Sequence, residues 1–234
     1  MLDRCVALLD LLADGPRTLR SLSAASRLPR PTAHRLLVAL EAHRLVARDE
    51  AGAFRLGPRL TELAAVAGPE LDMASLAGPV LDGLHRVTGE SVQLYVRSGD
   101  HRLCIAARDS GTGLRDSVPV GALLPLAAGS GGKVLLAWSG ASGAGLRGVV
   151  PPGQHSDGEL TEVRSQGWAA SVAEREPGVA SVSAPVFRAG VLLGALCVSG
   201  PVSRLSESPG RRLSQPVTEA AARLSALLDE AARA

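Results

Sequence analysis

Aromatic side chains are scarce in this chain: two Trp, one Tyr and two Phe among 234 residues. Lysine is scarcer, because Lys133 is the only one and every other basic residue is arginine. Both biases fit a GC-rich coding sequence and assign no function. Cysteine is sparse as well. Cys5, Cys104 and Cys197 are odd in number and far apart, which excludes a disulfide framework and a zinc spacing. His34, His43, His85, His101 and His155 also lie in no metal-ligand spacing. No apolar run is long enough to cross a bilayer, and no charged segment followed by an apolar one opens the sequence. The expectation is a soluble cytoplasmic protein with no membrane attachment, no metal and no cofactor.

What is present is a globular composition, 46% apolar and 21% charged, in a chain long enough for one large domain or two ordinary ones. Its net charge of +2 hides an asymmetry. Residues 1–60 carry ten Arg against six acids, whereas the remainder carries fifteen basic residues against seventeen acids. A basic first quarter on a mildly acidic remainder suits a nucleic-acid reader joined to a partner domain.

The first quarter reads as a winged helix-turn-helix. Leu2, Cys5, Leu9 and Leu12, widened by Val6 and Leu8, form the apolar stripe of a helix over Leu2–Ala13. Asp14-Gly15-Pro16 ends it, and Thr18 caps a second helix reaching about Ser26. After the turn Leu28-Pro29-Arg30, Pro31 fits the first position of a third helix. There Ala33, Leu36, Leu37 and Leu40 fall on the core side. The other side presents Pro31, Arg35, Val38 and Ala42, with Arg30, Thr32 and His34 beside them, the residue types that base and phosphate contacts require. Two short strands around Asp49-Glu50-Ala51-Gly52 make a wing carrying Arg48 and Arg55 toward phosphates.

A linker helix over Leu60–Ala67, closed by Gly68-Pro69, leads to a helix over Met73–Val87. Strands are expected at Ser91–Arg97, Leu103–Ala107, Trp168–Ala173, Val179–Val186 and Val191–Ser199. Helices are expected from the glycine-rich turn Gly129 to Trp138, over Glu159–Gln166 and over about Pro209–Ala231. Strands interleaved with helices give an α+β sensor-like domain. The expected organisation is a DNA-binding domain over residues 1–58, a linker helix over 59–69 and an effector-binding and oligomerisation domain over 70–234.

These residues carry a resemblance to a family. Leu28-Pro29-Arg30-Pro31-Thr32-Ala33-His34-Arg35-Leu36-Leu37, followed by Leu56-Gly57, resembles the reader signature of IclR-type transcriptional regulators. In the second domain the similar pieces, in family order, begin with Val120-Gly121, Leu124-Pro125-Leu126 and Gly132-Lys133-Val134-Leu135-Leu136-Ala137. They continue with Glu162 to Trp168, Glu176-Pro177-Gly178-Val179, Ala184-Pro185-Val186-Phe187 and Val198-Ser199-Gly200-Pro201. The resemblance implies a GAF-like α+β effector domain. It also implies a homodimeric or homotetrameric regulator, a repressor or an activator, that binds double-stranded DNA at a near-palindromic operator and answers to a small organic acid or aromatic ligand. The family pocket maps onto Ser130 and Gly131 of the turn and onto Ser171, Ser181, Cys197 and Ser199 of the strands. Ser171 stands where some relatives carry an acid. Hydroxyls and helix N-terminal amides are expected to hold a carboxylate there without a formal cation.

Two other readings stay open on the residues alone. One is a small-molecule hydrolase using Ser130 or Cys197, and the other is a sensor module whose winged helix contacts protein. Gly132-Lys133 lacks the first glycine and the final Ser or Thr of a P-loop, and Ala128 stands where a nucleophile elbow needs glycine. Lys133 is expected to be a structural lysine on a helix surface.

Overall fold

The computed structural model describes residues 1–13, 15–66, 69–111, 115–139, 155–206 and 208–233, without the side chains of residues 64–72. The chain divides into two compact units, Met1–Gly68 and Pro69–Ala234. Asp14, expected to help end the first helix, Ala67, expected to be the last residue of the linker helix, and Gly68 of the expected Gly68-Pro69 close lie outside the described residues.

Among the described residues the first unit is three helices and a two-stranded wing, followed by a fourth helix. Helix α1 (Leu2–Ala13), α2 (Leu19–Ser26) and α3 (Arg30–Ala42) enclose Leu8, Leu12, Leu22, Leu36, Leu37 and Leu40. Strands β1 (Val46–Arg48) and β2 (Phe54–Leu56) pair antiparallel and close that core with Val46 and Phe54. Thr18 caps α2 by accepting a hydrogen bond from the Ser21 amide at 3.3 Å. Helix α3 starts one residue earlier than expected: Pro29 is its cap, and Pro31 still falls in the first turn, where no amide donor is needed.

Helix α1 departs from the expected stripe. Leu8 and Leu12 are buried, but Leu2 is 75% exposed and Val6 46% exposed. At 3.6 residues per turn, Val6 stands about 200° from Leu8, so one helix cannot bury both on the same wall. Beyond the wing, α4 (Pro58–Val66) begins just after Gly57, whose amide bonds the Leu45 carbonyl at 2.9 Å. A Cβ on Gly57 would overlap the Arg44 carbonyl oxygen.

The second unit is built on one antiparallel sheet of six strands in the order β5-β4-β3-β8-β7-β6. The strands are β3 (Ser91–Ser98), β4 (His101–Arg108), β5 (Leu123–Pro125), β6 (Ala169–Val172), β7 (Val179–Arg188) and β8 (Val191–Pro201). The period of two sorts its faces. Val92, Leu94, Val182, Leu196 and Val198 face one side, where α5 (Pro69–Thr88) and α9 (Gly210–Ala231) bury them with Leu81, Leu84, Val217 and Leu224. Tyr95, Cys104, Ala195 and Cys197 face the other, under α6 (Ser130–Ala137) and α7 (Asp157–Gln166). Strand β5 and the short helix α8 (Val202–Leu205) are additions to the expected elements. Helix α5 also begins four residues before the expected Met73.

Gly57→Ala must push a methyl group into a backbone carbonyl, so it should destabilise the first unit by about 1–3 kcal/mol. Urea unfolding followed by circular dichroism would measure the loss, and unchanged stability would mean that the Gly57 approach is not constrained.

Candidate functional site

The face of α3 opposite its core gathers the expected DNA contacts. Arg30, Pro31, His34 and Arg35 are exposed along its first two turns, and Thr32 is half-buried among them. No ion pair or hydrogen bond holds the side chain of Arg30, Arg35 or Arg55 among the described residues. Arg48 is different. Its Nε lies 3.2 Å from Glu41 Oε1, and its guanidinium covers the buried Phe54 ring at 4.5 Å, so it braces the wing against α3.

The six expected effector residues also come together. Gly131, Ser171, Ser181, Cys197 and Ser199 line one cavity. Ser130 joins them through Oγ contacts of 2.7 Å to Ser181 and 2.8 Å to Ser183. The strand register explains the convergence, since Ser171 pairs with Ser181 and Ser181 with Ser199 across β6, β7 and β8. Hydroxyls at matched inward positions form a row, in which Ser171 and Ser181 lie 2.9 Å apart. Ser199 extends it by donating to Gln93 Oε1 on β3 at 3.0 Å. Helix α6 can lie this close because a Cβ on Gly132 would overlap the Leu126 carbonyl oxygen. Its first amides have no partners within the helix.

The expectation of a site without a formal cation is overturned. Arg102 of β4 and Arg175 of the β6–β7 loop line the same cavity, together with Tyr95 and Asp116. Arg102 is 3% exposed and lies over the Tyr95 ring at 5.2 Å. It donates to the carbonyls of Pro125 and Ala128, the latter at 2.7 Å, while its Nε has no partner among the described residues. Burial holds its guanidinium below its ordinary value and pushes the Tyr95 phenol well above its own. Arg175 is paired with the buried Asp116 carboxylate at 2.5 Å. Burial works against the Arg175 charge, but the Asp116 hydrogen bond and carboxylate charge outweigh it and raise its value. The cavity itself measures about 10 Å³, room for about one water.

Lys133 is not the surface lysine expected. It is 7% exposed, because α6 is packed along its whole length. Its ammonium donates to Glu174 at 2.6 Å, to Glu159 at 2.8 Å and to the Ala170 carbonyl at 3.2 Å. Glu174 in turn accepts from the Gly129 amide at 3.1 Å, which ties the glycine turn to the β6–β7 loop. Burial opposes the lysine's charge, yet the two carboxylates outweigh it and raise its value. Nucleophile chemistry finds little support here. The Ser130 hydroxyl bonds other hydroxyls, and burial raises the Cys197 thiol, opposite to what an activated nucleophile needs.

Sequence reasoning missed Arg102, Arg175, Asp116, Tyr95 and Gln93. Strand alternation held a signal for Arg102, which shares a face with Cys104, whereas Leu103 and Ile105 pack on the other side.

A basic winged-helix reader, followed in the chain by an α+β unit with a buried polar cavity, defines a transcriptional regulator. Residues 1–50 match the IclR helix-turn-helix domain, and residues 66–144 and 156–226 match the bacterial transcriptional regulator IclR C-terminal domain. This chain belongs to the IclR family of transcriptional regulators. It is 34% identical to the glycerol operon regulatory protein of Streptomyces griseus, across 96% of this chain and 94% of that one. It is 28% identical to the transcriptional repressor AllR of Salmonella paratyphi A, across 88% of this chain and 81% of that one. Among solved structures it is similar to an IclR homolog of Microbacterium hydrocarbonoxydans complexed with 4-hydroxybenzoate. That similarity has a TM-score of 0.74, 25% identity and coverage of 97% of this chain and 98% of that one. Among the described residues no helix is long and apolar enough to cross a membrane.

Two outcomes test this geometry. Lys133→Met leaves Glu159 and Glu174 without their cation, and both are partly exposed, at 39% and 31%. The expected cost is about 1–3 kcal/mol in chemical denaturation, below that of breaking a fully buried pair. Burial pushes the Cys104 thiol up to about 12 and raises Cys197, so near pH 8 a thiol reagent should label half-buried Cys5 and spare both. Denaturant should then release all three, as counted by mass spectrometry.

Proposed function

We propose that this regulator represses its target genes by binding a near-palindromic operator as a homodimer or homotetramer, and that a small organic acid or aromatic effector at the Ser130 turn changes its DNA affinity. The observation that carries the reading is the unpaired basic face of α3, with Arg30 and Arg35 exposed beside His34 and Thr32. Two such helices in successive major grooves fit half-sites about 34 Å apart. Arg55 supplies a phosphate contact from the wing, and Arg48, already engaged by Glu41, contributes less. Residues 1–58 are the reader, 59–69 the link, and 70–234 the effector-binding and oligomerising part. The protein acts in the cytoplasm, where its operator is.

The cavity beneath α6 supports the effector half of the reading. It collects Ser130, Gly131, Ser171, Ser181, Cys197 and Ser199 at a helix N-terminus, a setting that favours anions. The Microbacterium homolog, crystallised with a hydroxybenzoate, supports an acid as the ligand.

Selecting genomic DNA fragments with the purified protein at stated salt should return one near-palindromic motif. Recovery of only salt-sensitive, sequence-independent binding would overturn the proposal. On that motif, Arg35→Ala should cost roughly 1–3 kcal/mol, with relaxed preference at one base pair if Arg35 reads a base edge. Operator affinity unchanged in a gel-shift titration would remove Arg35 from the interface.

A further inference from the structure

We propose that Arg102 is the carboxylate anchor of the effector site and that the effector is a short hydroxylated carboxylate, of the size of a three- or four-carbon hydroxy acid. The proposal deepens the functional reading above and rests on it.

The starting point is charge. Arg102 is 97% removed from solvent, and among the described residues no carboxylate pairs with it. The acid nearest in function, Asp116, is taken by Arg175 at 2.5 Å. A buried cation left with carbonyls and a neutral phenol is costly unless an anion completes it. The buried free donor points to where that anion would sit. The Arg102 Nε has no partner, and it lies 3.5 Å from the position a Cβ on Gly131 would take, beside the first turn of α6. A carboxylate placed there meets a guanidinium edge and helix N-terminal amides together.

The rest of the ligand is constrained by what surrounds it. Ser171, Ser181 and Ser199 form the opposite wall, and the buried Gln93 beside Ser199 has an amide nitrogen without a partner. Such a wall rewards hydroxyl groups, and it would strand its own polar atoms against an aromatic ring. Size points the same way. The cavity holds about 10 Å³, so a ligand fits only as the cavity walls give way. A short acid demands the least displacement.

Calorimetric titration of the full chain with glycerate, glyceramide and 4-hydroxybenzoate tests this directly. Glycerate should bind, its neutral isostere glyceramide roughly 10- to 100-fold more weakly, and 4-hydroxybenzoate more weakly than glycerate. Arg102→Gln should lose a similar factor for glycerate while leaving glyceramide unchanged. Because Arg102 also holds two carbonyls, that variant counts only if its melting transition is retained. The glycerate–glyceramide comparison in the unaltered protein decides the question without it. Equal binding of glycerate and glyceramide, tighter binding of 4-hydroxybenzoate, or a folded Arg102→Gln that binds glycerate normally would each overturn the proposal. So would absence of glycerate binding by protein that still retards its selected operator, an outcome that leaves the regulator reading standing. Loss of operator recognition would instead sink the functional reading beneath it.

Discussion

Arg102 ties the segment between β5 and α6 to the sheet, and the polar face of the second unit is arranged around that clasp. Its guanidinium accepts no charge partner but reaches the carbonyls of Pro125 and Ala128 while its plane covers Tyr95. Those two carbonyls flank the turn that delivers Ser130, Gly131 and Gly132 onto the sheet. Held there, α6 approaches until Gly132 leaves no space for a side chain and the Ser130 hydroxyl reaches β7. A second clasp works from the other end of the turn, where Glu174 joins the Gly129 amide to the Lys133 ammonium. The two clasps use cations buried for opposite purposes. Lys133 is neutralised by two acids, whereas Arg102 is left positive.

That difference makes the closed cavity a poised site. The serine hydroxyls satisfy one another, so they cost little while no ligand is present. Hydroxyls also exchange partners easily, because rotation about one bond turns a donor from a neighbour toward a guest. In the proposed site the guanidinium would supply the driving force for binding, and the hydroxyl row would supply discrimination. A ligand acts on DNA only through the difference in its affinity for two arrangements of the protein, typically worth ~1–3 kcal/mol. A cavity too small for a ligand as it stands would carry such a difference if it is the effector site.

The reader was legible almost residue by residue. Its core positions on α3 follow from helical spacing, and its caps and turns from Thr18 and Pro31, because a small three-helix unit has one core and one way to face it. Helix α1 was less legible: its apolar residues run around more of its circumference than one core can bury, and periodicity alone did not tell Val6 from Leu8. The second unit yielded its strands and most of its helices, since alternation and glycine turns mark them. Its site was half legible. The serines and the glycine turn showed through their order along the chain, but the charges did not. A sheet covered on both faces removes the rule that polar residues point outward, and Arg102 lay just outside the strand expected at Leu103–Ala107. Arg175 and Asp116 sit in connections, where charge ordinarily means solvent, and only the fold brings them together at 2.5 Å.

The distribution of charge between the units sets how regulation can work. The reader keeps its net positive charge whether or not the cavity is filled, because the effector titrates none of the exposed arginines of α3 or the wing. The salt-dependent attraction for phosphate is therefore a constant background. The base contacts proposed for α3 depend on position, not on charge, and they would be the part of the affinity that a change in arrangement can alter. On the proposed reading, a constant electrostatic background holds the protein on DNA, and a preference between arrangements of the protein decides which sequence it holds.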